Sequence, residues 1–136
     1  MCPTKACPVV LRYADEIEIL VFEHPLVGIQ LVKGTIEPGE SPGRAALREL
    51  AEESGLVATD KLQALGVWES GFNGQVWSFH LCEVVAPPSD SWVFRTGDDG
   101  GLDFRFFWHP LASEPSSDWH WVYRSALAFI RHRVQG

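Results

Sequence analysis

The stretch Gly34-Thr35-Ile36-Glu37-Pro38-Gly39-Glu40-Ser41-Pro42-Gly43-Arg44-Ala45-Ala46-Leu47-Arg48-Glu49-Leu50-Ala51-Glu52-Glu53-Ser54-Gly55-Leu56 decides how this chain is read. Its first seven residues include two Gly and a Pro, which break regular structure. Ser41 is a favoured helix N-cap, and Pro42 suits the first helical position. Gly43 to Ser54 is rich in Ala, Leu, Arg and Glu, all good helix formers. Gly55 is a natural C-terminal stop. The expectation is a loop that feeds one helix. On that helix Glu49, Glu52 and Glu53 stand at i, i+3 and i+4, which puts them on one face. Leu47 and Leu50 lie on the side that can enter a core.

Three carboxylates on one face repel each other, at a cost of a few tenths of a kcal/mol per pair. A hard divalent cation offsets that repulsion. Mg²⁺ takes oxygen ligands and commonly combines one or two carboxylates with phosphate oxygens. Taken alone, the three Glu also fit a solvated acidic face with Arg44 and Arg48 as partners.

Outward from this unit, apolar and alternating runs predict strands at Val9 to Tyr13, Glu16 to Glu23 and Ile29 to Val32. Beyond it, Leu62 to Ser70 and Gln75 to Val85 read as two longer strands. Asn73-Gly74 between them is a strong hairpin signal. Trp92 to Arg95 reads as a short strand, Thr96 to Asp103 as a Gly/Asp-rich loop and Phe104 to Trp108 as an aromatic strand. A second helix is expected from about Asp118 to Arg133. Strands, helix, strands, helix is the order of an α+β or α/β sandwich with a mixed sheet. No linker or repeat divides the chain, so 1–136 is expected to be a single domain.

Composition narrows the function. The 136 residues are 46% hydrophobic and 21% charged, with a formal net charge of −7. That balance is globular, not disordered. An acidic domain is poorly suited to gripping a nucleic-acid backbone, which needs clustered Lys and Arg. It suits a small anionic substrate if cations offset the repulsion. The three Cys include no CxxC pair, so neither a zinc cluster nor a disulfide framework is expected. No apolar run reaches the roughly 20 residues that span a bilayer. No secretory signal is seen, and a cytoplasmic location is the expectation.

Gly34, five residues, Glu40, seven residues, Arg48-Glu49-Leu50, one residue, Glu52-Glu53, one residue, Gly55-Leu56 resembles the Nudix box at every fixed position. The chain is therefore similar to the Nudix hydrolase family, of MutT-like type. The resemblance implies a Nudix fold, an α/β/α sandwich around a mixed β-sheet. It implies hydrolysis of a diphosphate linkage in a nucleoside diphosphate joined to another group, such as a dinucleoside polyphosphate or a nucleoside triphosphate. Mg²⁺ is the implied cofactor, with Mn²⁺ as a substitute. Glu49, Glu52 and Glu53 would face the metal, with a backbone carbonyl at Lys33 or Gly34 completing the shell. Arg48 would orient a carboxylate through its planar fork. Glu40 would serve the same cluster from the loop, through a water or through Arg48. Glu52 is the first candidate for the general base. Family members also use an acidic residue from a later loop, which here holds Asp98, Asp99 and Asp103 but no Glu.

Substrate contacts are expected from Lys33 and Glu40 at the box and from Arg95 at distal phosphates. Trp68, Phe72, Trp77 and Trp92 are candidates to stack on a base. A Pro marking many ADP-ribose hydrolases is replaced here by Gly71. Two rivals share the fold. One is a module that senses a nucleotide without cutting it. The other is an isomerase of allylic diphosphates, for which no Cys and Glu pair can be placed. A homodimer is compatible with the high apolar fraction.

Overall fold

The computed structural model describes residues 2–97 and 100–135. Its strands are β1 (Lys5–Val9), β2 (Leu11–Tyr13), β3 (Ile17–His24), β4 (Gly28–Gln30), β5 (Gly34–Thr35), β6 (Ala58–Glu69), β7 (Val76–Val84), β8 (Trp92–Arg95) and β9 (Asp103–Pro110). The helices are α1 (Pro42–Ser54) and α2 (Trp121–Gln135).

The strands divide between two sheets. The mixed sheet has the order β5-β1-β7-β6, with β1 and β7 parallel. The other sheet runs β2-β3-β9-β8, with β4 also on β3, and its pairs are antiparallel. The mixed sheet foreseen from sequence is thus one of a pair. Two expected strands are split for the same reason. Val9 to Tyr13 breaks at Val10, and Ile29 to Val32 breaks after Gln30. At each break the chain crosses from one sheet to the other. Val10, Leu31 and Val32 are all buried at these crossings. Their apolar character made them look like strand interior.

Alternation along β3 builds two cores. Ile19 and Val21 join one cluster with Cys7, Val9, Trp77, Phe79 and the buried face of α2. Leu20 and Phe22 join the other with Val10, Val32, Phe104, Phe106 and Leu50 of α1. The two helices therefore cover opposite faces. In α2 the buried residues are Val122, Tyr123, Ala126, Leu127 and Ile130, one stripe at helical spacing. That helix starts at Trp121 and not Asp118, because Trp119 is held in an isolated bridge to Ile29. Among the described residues, no helix is long and apolar enough to cross a membrane.

Candidate active site

Helix α1 begins as its sequence dictates. The Ser41 side chain accepts a hydrogen bond from the Arg44 N–H at 3.2 Å, and Pro42 opens the first turn. It ends at Gly55, whose φ of 77° is left-handed and whose N–H donates to the Ala51 carbonyl at 3.0 Å. Ala45, Ala46, Glu49 and Leu50 form its buried stripe. Ala45 and Ala46 pack against Ala6 of β1. Glu49 is thus on the core side, only 8% exposed. A simply solvated acidic face does not describe it.

Arg48 organises the carboxylates. Its Nε and Nη2 donate to the two oxygens of Glu40 at 2.8 and 2.9 Å, a bidentate pair. Nη1 donates to Glu49 Oε1 at 2.8 Å and to Glu52 Oε2 at 3.2 Å. Nη2 also donates to the Thr35 carbonyl at 2.9 Å, which ties the helix to β5. Glu40 further accepts from the Glu37 N–H at 3.1 Å. The Arg48 contact, aided by that backbone donor, holds the Glu40 carboxyl at about 2, well below its ordinary value. The same pairing, with Glu40 and then Glu49, pushes the Arg48 guanidinium up.

Gly34 lies directly under Glu49. A Cβ on Gly34 would overlap the Glu49 carboxyl. A side chain on Gly34 would have to displace that carboxyl, so close approach and not a turn favours glycine here. Glu53 is half-buried, with Oε2 inside. Lys33, next to Gly34, turns towards α2. Its Nζ donates to Gln75 Oε1 at 3.3 Å and lies 4.7 Å from the Trp77 ring centre and 5.6 Å from that of Tyr123. Burial lowers the Lys33 ammonium, Lys5 adds to that shift and Glu53 opposes it.

Among the described residues, no three Asp, Glu, His or Cys side chains are drawn together as a ready cage for a metal. Arg48 pairs instead with Glu40, Glu49 and Glu52. The donor chemistry nevertheless suits a hard divalent cation. Carboxylates sit on one helical face, and Glu49 lies against the Gly34 backbone.

Other expected site residues fall elsewhere. Trp77 does not offer a stacking face. It is fully buried, and its Nε1 donates to Gln75 at 3.0 Å. The period-2 pattern of β7 turns it into the core below α2. Arg95 is not brought to the carboxylates. It pairs across the strands with Asp103 at 2.9 Å on the surface. Phe94, its neighbour, faces Gly55 of α1, so Arg95 points from the opposite face. Asp98 and Asp99 lie outside the described residues. Trp68 packs edge-on against Trp77, and Trp92 stacks on Phe106. Two contributors were not singled out from sequence: the Thr35 carbonyl and Gln75, which links Lys33 to Trp77. A backbone acceptor carries no signal in sequence, and Gln75 resembles any polar residue at a hairpin end.

A profile of the NUDIX domain matches residues 4–129, so the chain belongs to the NUDIX family, that of the Nudix hydrolases. No curated protein matches it. Solved structures share the fold. A MutT/nudix family protein from Enterococcus faecalis is 16% identical with a TM-score of 0.63; the match covers 99% of this chain and 63% of that one. The chain therefore spans under two thirds of that protein. An ADP compounds hydrolase is 24% identical with a TM-score of 0.69, covering 100% of this chain and 76% of the other. An ADP-ribose pyrophosphatase from Streptococcus suis is 15% identical with a TM-score of 0.68, covering 99% and 94%. Divalent metals are the general cofactors of this family.

Proposed function

We propose that the chain, as one Nudix domain over 1–136, hydrolyses a diphosphate linkage in a nucleoside diphosphate joined to another group, with Mg²⁺ as its cofactor. The observation that carries this reading is the Arg48 hub, which gathers Glu40, Glu49, Glu52 and the Thr35 carbonyl beside Gly34. A guanidinium that holds three carboxylates and a backbone carbonyl restrains their relative positions, as positioning catalysis requires.

The residues fall into roles. Glu49 and Glu53, with Glu52 and the backbone carbonyl at Lys33 or Gly34, would hold Mg²⁺; Mn²⁺ has the same taste for oxygen ligands. When bound, such an ion polarises a phosphoryl oxygen. Glu40 keeps Arg48 aligned. Glu52 has a side chain 52% exposed and can accept a proton from water without opening the core. Lys33 offers a positive charge for the substrate phosphates. Stacking through Trp77 is not carried into this reading, because its ring is buried; Arg95, whose pair with Asp103 is exposed, would be available to a distal phosphate.

The test is product formation from diadenosine polyphosphates, ADP-ribose, oxidised and normal dNTPs, NADH and a nucleotide sugar, with Mg²⁺ and with chelator. Metal-dependent cleavage of one class supports the proposal and names the substrate. A compound that raises the melting temperature yet is never cleaved would replace catalysis with sensing.

A further inference from the structure

Three aromatic side chains near Lys33 have no role in the carboxylate site. Phe72 is in the β6–β7 turn, and His120 and Trp121 are at the start of α2. Phe72 lies edge-on to both, with ring centres 5.2 Å from His120 and 5.9 Å from Trp121. His120 and Trp121 are themselves 5.5 Å apart. Trp121 is 49% exposed, so about half of this large apolar side chain meets water. Most other Trp residues of the chain spend their faces on the core or on neighbouring rings.

The cluster is built and not merely left over. In the turn Phe72-Asn73-Gly74-Gln75, the Gln75 N–H donates to the Phe72 carbonyl at 2.9 Å. Asn73 and Gly74 both have positive φ, 52° and 68°, as a tight hairpin turn demands. Ser70 is buried and accepts from the Phe72 N–H at 3.0 Å, fixing the ring's backbone. Across from it, the Val122 N–H donates to His120 Nδ1 at 3.2 Å. Nδ1 is therefore the acceptor, and in neutral imidazole the proton sits on Nε2. Arg124 ties down the preceding turn through the Trp119 and Ser116 carbonyls.

The cluster also adjoins the site. Gln75 closes the Phe72 turn and accepts from Lys33 Nζ. Lys33 in turn neighbours Gly34 in sequence and lies in the field of Glu53. Gln75 thus links the Phe72 turn to Lys33, the residue that precedes Gly34 of the box. A diphosphate that met Lys33 would carry its flanking group towards the rings.

From this we infer that Phe72, His120 and Trp121 form the subsite for the nucleobase of the substrate. The base stacks on the exposed Trp121 face beside Phe72, and His120 donates Nε2–H to a ring nitrogen or carbonyl of the base. This rests on the proposed nucleotide-directed activity, but its test does not need cleavage.

Calorimetric binding of AMP, GMP and UMP should be compared with that of ribose 5-phosphate, none of which has an anhydride to cut. For the native chain, at least one nucleotide should bind about tenfold tighter than ribose 5-phosphate, the scale of one stacked base. Trp121→Ala should remove most of that preference and leave ribose 5-phosphate unchanged. Trp121→Phe should retain much of it. Phe72→Ala provides a second removal should Trp121→Ala lower the melting temperature. Equal binding of all four ligands by the native chain would overturn the subsite. So would a preference that survives both Trp121→Ala and Phe72→Ala. Loss of the hydrolase reading shows only in the cleavage panel, so the two failures are separable.

Discussion

Glu49 occupies the same helical stripe as Ala45, Ala46 and Leu50, where a carboxylate is costly unless charge and hydrogen bonds answer it. Arg48 supplies that answer, and it does so for Glu40 and Glu52 as well. Arg48→Ala should therefore destabilise the fold by about 1–3 kcal/mol, the cost of stripping a partner from a buried polar group. Arg48→Lys restores charge but not the fork, and should recover only part of the loss in a urea melt. The pH dependence follows from Glu40. Its folded-state value of about 2 lies below its ordinary 4.5. It therefore adds stability above pH 4.5, and that stability is lost as the pH falls from there towards 2. Glu40→Gln should flatten the acid limb of a melting-temperature profile over this window. An unchanged limb would show that Glu40 is not held by Arg48. At this scale, the spacing of the acidic residues was legible in sequence because helical geometry is periodic. The burial of Glu49 was not, because it depends on Gly34 arriving beneath it from another element.

Helix α1 is pinned at its C-terminal end by β8. Trp92 Nε1 donates to the Ser54 carbonyl at 3.0 Å, satisfying an acceptor the helix leaves open. Phe94 packs so closely on Gly55 that a Cβ there would meet its ring at 2.7 Å. Gly55→Ala should then cost roughly 1–3 kcal/mol from its left-handed φ, before the clash with Phe94 is added. Equilibrium unfolding checks this, and Phe94→Ala in the same background should relieve only the steric part. Both caps of α1 were readable because Ser, Pro and Gly act locally. The β8 strap was readable as a strand but not as a clamp. Sheet crossings at Val10 and at 31–33 were hidden for the converse reason, since a buried crossing and a buried strand have the same apolar composition.

Across the whole molecule, two cores hold α1 and α2 on opposite faces. Sequence order foretold both helices and the longer strands in their right succession, but read the short strand β5 at Gly34–Thr35 as loop. It could not foretell which aromatic residues would be spent on packing, because that depends on which face of each strand meets a helix. Trp77 went to the core and Arg95 to a surface pair, while Trp121 kept an open face. Metal-dependent hydrolysis at the carboxylate face of α1, as proposed above, is tested most directly by the initial cleavage rate of the best substrate against Mg²⁺ concentration, for the native chain and Glu53→Gln. The rate should saturate with Mg²⁺, vanish in chelator and fall by roughly 100-fold or more in Glu53→Gln, the scale on which single catalytic groups act. A native rate indifferent to Mg²⁺, or one that Glu53→Gln leaves intact, would contradict it.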